Sequence, residues 1–187
     1  IQEKVYLNSQ IFKPKATSME PKKKTFINVA LIISLILILV DLVGKFANLS
    51  FTTWFKWLPA IILIVSLIIA CMSFGKENNG NVTFGNVFGY GFKISAVITG
   101  IMLIYTIIAL FFIFPEMKDL ALEEARKQME AKGTLSQSNI DTALSMTRRL
   151  FIPFAIIGVV IGTLLIGVIG SLLGAAFTKK SKIQNSF

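Results

Sequence analysis

The sequence holds no histidine and a single cysteine, Cys71. Without histidine there is no imidazole to move protons near neutral pH and none to ligate haem or a metal ion. One cysteine excludes an intrachain disulfide. Cys71 stands inside an apolar block, where it reads first as a small packing residue and only secondarily as a palmitoylation site. Charge is scarce: 16% of residues are charged, against about 25% in soluble domains. Nucleotide-loop signals are also missing. The glycines of VTFGNVFGYGFK are followed by no Gly-Lys-Ser/Thr and preceded by no strand pattern. No cofactor is expected.

What the chain has in quantity is apolar sequence: 54% hydrophobic residues among 187, and a mean hydropathy of +0.72. The excess is gathered into long blocks, which points to a bilayer as solvent rather than to a large soluble core. The longest block, residues 150–177, runs LFIPFAIIGVVIGTLLIGVIGSLLGAAF without a charge. As a helix it would extend about 42 Å, more than the roughly 30 Å hydrocarbon core. Arg148 and Arg149 precede it and Lys179 and Lys180 follow it. Gly158 and Gly162, Gly167 and Ser171, and Gly170 and Gly174 stand four apart. That spacing lets helix backbones approach closely in lipid.

Residues 1–18 are polar and without period, and the chain begins with Ile1. The expectation is a disordered extension upstream of a natural start at Met19. The next candidate span covers about residues 26–45, behind the collar Lys22, Lys23 and Lys24. The alternative is a secretory signal peptide, but the run exceeds a usual signal core and no small-x-small cleavage site follows. Asp41 is the acid inside an apolar block. It falls about 22 Å along the helix, near the far interface, with Lys45 four residues on in the favourable order for an ion pair. The structural reading is an interfacial Asp41–Lys45 pair. The functional one is a proton or cation ligand on a transport path.

A second span covers about 54–74, with Trp54 and Trp57 at headgroup level and Pro59 expected in its first turn. The polar turn KENNGN leads to a third span, about 83–114. Phe84, Phe88 and Phe92 recur every four residues, as do Gly85 and Gly89, giving an aromatic ridge beside a small-residue groove; Gly91, Ser95 and Thr99 continue the small face. Lys93 must either snorkel to the interface or face the bundle. Ser95 and Lys93 cannot form a dyad, because positions two apart on a helix point about 200° apart. Pro115 closes the span.

Residues 116–149 carry six basic and six acidic side chains. PEMKDLALEEARKQMEAKG reads as a helix stopped at Gly133. A second helix is expected to begin at Ser136 or Ser138. Together they predict an extramembrane amphipathic hairpin between the third and fourth spans. It would lie on the bundle or membrane surface, or dock a partner helix.

The net charge of +9 reads as flanking charge on membrane helices, not as a nucleic-acid surface, since the basic residues sit at helix ends without a groove-reading element. With four spans both termini share a side, carrying eleven of the nineteen Lys and Arg. Without the first eighteen residues the sides balance, so cytoplasmic termini rest on the clusters KKK and KKSK.

The run FGNVFGYGFKISAVITG, the segment FPEMKDLALEEARKQMEAKGTLSQSNIDTALSM and the Gly-studded last span together resemble a known family, from about residue 26 to 180. It is the bacterial membrane proteins called domain of unknown function 4199. The resemblance implies four membrane helices in a small cytoplasmic-membrane protein and carries no activity. The expected fold is therefore an all-α membrane protein with four transmembrane helices. Its partners are the lipid bilayer and a second copy or another membrane protein. Its expected role is non-enzymatic: structural, assembly or regulatory. The alternative is a small transporter or channel subunit using Asp41 or Lys93.

Overall fold

The computed structural model describes residues 23–133 and 136–179. The expectations for residues 1–18 and for Met19 lie outside the described residues. In chain order the helices are α1 (Lys23–Phe46), α2 (Thr53–Glu77), α3 (Phe84–Ile108), α4 (Met117–Lys132) and α5 (Gln137–Phe177), and α3 runs on into a π-helical turn at Ala109–Ile113. The described residues contain no strand.

Local chemistry fixes several of these ends. The Thr83 hydroxyl accepts from the Asn86 N–H at 3.2 Å and opens α3. Ser136 does the same for α5, accepting from the Asn139 N–H at 3.4 Å. Gly133, at φ 64°, closes α4 in the left-handed conformation that glycine adopts without a Cβ penalty.

Four helical segments are long and apolar enough to cross a bilayer: Phe26–Phe46, Thr53–Glu77, Phe84–Ile113 and Gln137–Phe177. The inward faces of the first three meet in one buried cluster, and Cys71, Val87 and Ala175 form a second with the last. Ala30, Ile33 and Leu37 of α1 pack with Leu63, Leu67 and Ala70 of α2 and with Ile94 and Ile98 of α3. The most extensive packing is between α3 and α5, followed by α2 with α5. The outward faces are as apolar as the core: Leu31, Ile32 and Leu35 on α1, Ile61, Val65 and Ile69 on α2, and Ile157, Ile161 and Leu165 on α5 are all exposed. A water-soluble monomer rarely shows apolar patches beyond a few hundred Å². This surface is made for hydrocarbon, and the protein is a multi-pass membrane protein.

The expected hairpin between the third and fourth spans is not what forms. Its first arm is the 16-residue α4. Its second arm is no separate helix, because α5 runs for 41 residues without a break. Residues 137–149 contain no glycine or proline to stop the chain. Pro153 removes only one backbone bond, which the rest of so long a helix tolerates. At 1.5 Å per residue α5 extends about 61 Å, twice the hydrocarbon thickness. Pro59 also differs from expectation: with α2 starting at Thr53 it is the seventh residue, in the second turn. It therefore withholds an N–H from the Phe55 carbonyl.

Candidate functional site

The polar groups of the bundle gather in two places. The first lies where α1 and α3 end. Asp41 Oδ2 accepts two short hydrogen bonds, from Lys45 Nζ at 2.6 Å and from the Tyr105 hydroxyl at 2.6 Å. The Lys45 side chain is only 13% exposed and that of Asp41 34%. The ammonium also stands 5.4 Å from the centroid of the Tyr105 ring and 5.3 Å from that of Phe114, within cation–π range. Phe114 in turn meets Phe46 edge to face at 5.3 Å. The charge pair is thus flanked by two aromatic rings, the second backed by Phe46, and joined to a residue 64 positions away.

The π-helical turn builds one wall of this box. The Phe114 N–H donates to the Ala109 carbonyl at 2.7 Å, five residues back instead of four. The extra residue re-aims the chain so that the Phe114 ring, 7% exposed, turns inward over Lys45. Of this cluster the sequence offered Asp41 and Lys45. Tyr105, Phe114 and Phe46 were missed. The available signal was depth, since Asp41 and Tyr105 lie near the same ends of two parallel helices.

The second place is a seam of small residues. A Cβ on Gly91 would come within 2.7 Å of Ser171 Oγ and 2.9 Å of Cys71 Sγ. One on Gly167 would reach 2.5 Å from Ser95 Cβ, and one on Gly174 would reach 2.7 Å from Cys71 Cβ. One on Gly170 would approach the Ile64 Cα to 3.2 Å. These four glycines are where α5 presses on α2 and α3. Gly89, Gly158 and Gly162 have nothing within 4 Å of such a Cβ, and Gly85 meets only Thr83 at 4.0 Å. Cys71 is fully buried in the seam, its thiol 3.7 Å from the Val87 carbonyl.

The hydroxyls along the seam are turned back on their own helices. Ser95 donates to the Gly91 carbonyl at 3.0 Å, Thr99 to Ser95 at 2.8 Å and Ser171 to Gly167 at 2.7 Å. Only Ser34 Oγ, among described buried side-chain polar atoms, lacks a partner. Lys93 is exposed on the outside of α3 and does not face the bundle. The structure brings neither Lys93 nor the glycine seam to Asp41. Among described residues no three His, Cys, Asp or Glu side chains stand close enough to share a metal ion.

Outside the spans, α4 is tied to the start of α5 by ion pairs. Arg126 bonds Asp141 at 2.7 Å and Arg148 bonds Asp119 at 2.6 Å. Glu123 lies 2.9 Å from Lys127 and, through that bond, holds its ammonium above the ordinary lysine range.

A family model described as a protein of unknown function, DUF4199, matches residues 25–180. The chain belongs to this family. The match takes in all four spans and α4, so the polar box and the glycine seam both lie within the DUF4199 region. No curated protein and no solved structure matches this DUF4199 protein.

Proposed function

We propose that this DUF4199 protein is a non-enzymatic component of a bacterial inner membrane, with a structural, assembly or regulatory role. In this reading both termini lie in the cytoplasm, on the strength of the clusters KKK and KKSK beside the first and last spans. The observation that carries this reading is that the bundle's polar groups, Ser34 Oγ apart, are spent on its own architecture. Asp41 is engaged by Lys45 and Tyr105 at once. The seam hydroxyls bond carbonyls one turn back on their own helices. A transport path needs polar groups converging at mid-membrane and free to exchange ligands. Here Asp41 is occupied near one end and Lys93 lies outside the bundle. The apolar outer face of α5, with Gly158 and Gly162 uncovered, suits lateral contact with a second copy or another membrane protein.

Reconstitution tests this directly. Proteoliposomes should show proton and cation flux no higher than empty vesicles, and Asp41→Asn should leave that unchanged. Flux that depends on Asp41 would overturn the proposal. A reporter fused at the carboxy terminus should be active only on the cytoplasmic side.

A further inference from the structure

We propose that the cleft between the carboxy-terminal ends of α2 and α5 binds the phosphate of an anionic phospholipid. The cleft has a volume of about 520 Å³, and Met72, Gly75, Lys76, Asn79, Phe177 and Lys179 help line it. Its two walls are locked together. The Thr178 side chain fills the space that a Cβ on Gly75 would need. Thr178 is 5% exposed and its hydroxyl donates to the Gly174 carbonyl at 2.7 Å. Lys179, the next residue, is therefore anchored beside α2. On the other wall, α2 ends in a compact turn: Asn78 Nδ2 donates to the Phe74 carbonyl at 2.8 Å, and Asn79 adopts φ 53°.

The lining has the polarity profile of a phospholipid. Two ammonium groups and an amide stand at the rim, while Met72 and Phe177 are exposed on the apolar surface of the spans. A headgroup phosphate would sit at the lysines and its acyl chains would run along Met72 and Phe177. A simpler role for Lys76 is to balance the negative end of its own helix dipole. Each helix end contributes about half a negative charge, and Glu77, the last residue of α2, carries a full one; the cleft, however, is lined by Lys76 and Lys179 and not by Glu77. No carboxylate among the described residues forms a salt bridge with either lysine, unlike Lys45, Arg126, Lys127 and Arg148. By sequence Lys180 and Lys182 follow directly. Basic clusters of this kind beside a span are drawn to anionic headgroups.

The test is thermal unfolding of the full chain in an uncharged detergent. Dioleoylphosphatidylglycerol, dioleoylphosphatidylcholine or inorganic phosphate is titrated in. Phosphatidylglycerol should raise the melting temperature while phosphatidylcholine and inorganic phosphate do not. Lys76→Gln with Lys179→Gln should raise the half-saturating lipid concentration about thirtyfold, and Lys118→Gln with Lys132→Gln on α4 should leave it unchanged. Lys179→Glu alone, at an exposed position past the helix end, gives a second route and should weaken the response in the same direction. Equal responses to both lipids, or a preference that survives these substitutions, would overturn the proposal. So would protection by inorganic phosphate as large as by the lipid, which would make the ligand a soluble anion.

Discussion

A single methyl group separates the glycines that pack from those that do not. Gly167→Ala, Gly170→Ala and Gly174→Ala each force a Cβ into Ser95, Leu67 or Cys71. Each should cost about 1–3 kcal/mol, the usual penalty of overpacking. Gly158→Ala and Gly162→Ala meet nothing within 4 Å and should be neutral or stabilising by up to about 1 kcal/mol through helix propensity. Denaturation in mixed micelles should sort the two groups. If all five behave alike, the seam is misplaced. The polar box makes a second prediction. Tyr105→Phe removes one donor and should cost about 1 kcal/mol. Asp41→Asn also strips Lys45, 13% exposed, of its counter-ion and should cost about 2 kcal/mol. Combining the two should cost less than their sum, as measured by a double-mutant cycle. The sequence presents the glycine pairs by the same four-residue spacing whether they pack or not. Gly158-x-x-x-Gly162 and Gly170-x-x-x-Gly174 differ only in which neighbour the fold brings near, and that information is not local.

Among the elements, the four spans were legible because length and apolarity decide them. A buried backbone in hydrocarbon must close its own hydrogen bonds, so a long apolar run has one available conformation. The Gly133 stop was legible by its own chemistry, and Ser136 was one of two serines offered as a cap, whereas the Thr83 cap of α3 was not legible as one. The π-helical turn at Ala109–Ile113 was not legible either, since ALFFI fits an α-helix equally well and only the burial of Phe114 against Phe46 and Lys45 selects the extra residue. Deleting Ile113 would restore α-helical register and swing Phe114 by about 100°. The deletion and Phe114→Ala should therefore lower the melting temperature by similar amounts, and the second change should add little to the first. The fusion of residues 137–149 with the last span was hidden for a related reason. The Arg148–Arg149 pair looks like a boundary in hydropathy but does nothing to break backbone hydrogen bonds.

Taken whole, the molecule is a three-sided core of α1, α2 and α3 closed by the carboxy-terminal half of α5, with α4 appended. α4 has no buried residue of its own; beside the buried Ile140 and Leu144 of α5, it is tied to α5 by exposed ion pairs, which contribute little singly and weaken with salt. Hydrogen exchange in detergent should find α4 the fastest of the five helices, faster still at high ionic strength, and the inner face of α2 among the slowest. Slow exchange throughout α4 would contradict this arrangement. The uninterrupted α5 has a mechanical corollary. A stiff rod about 61 Å long, gripped at one end by the glycine seam and at the other by Asp119 and Arg126 of α4, is a lever across the bilayer. Pro153 is its one weak joint, so a tilt applied beyond Arg148 is passed to Phe177 on the opposite leaflet, less whatever bending the proline absorbs.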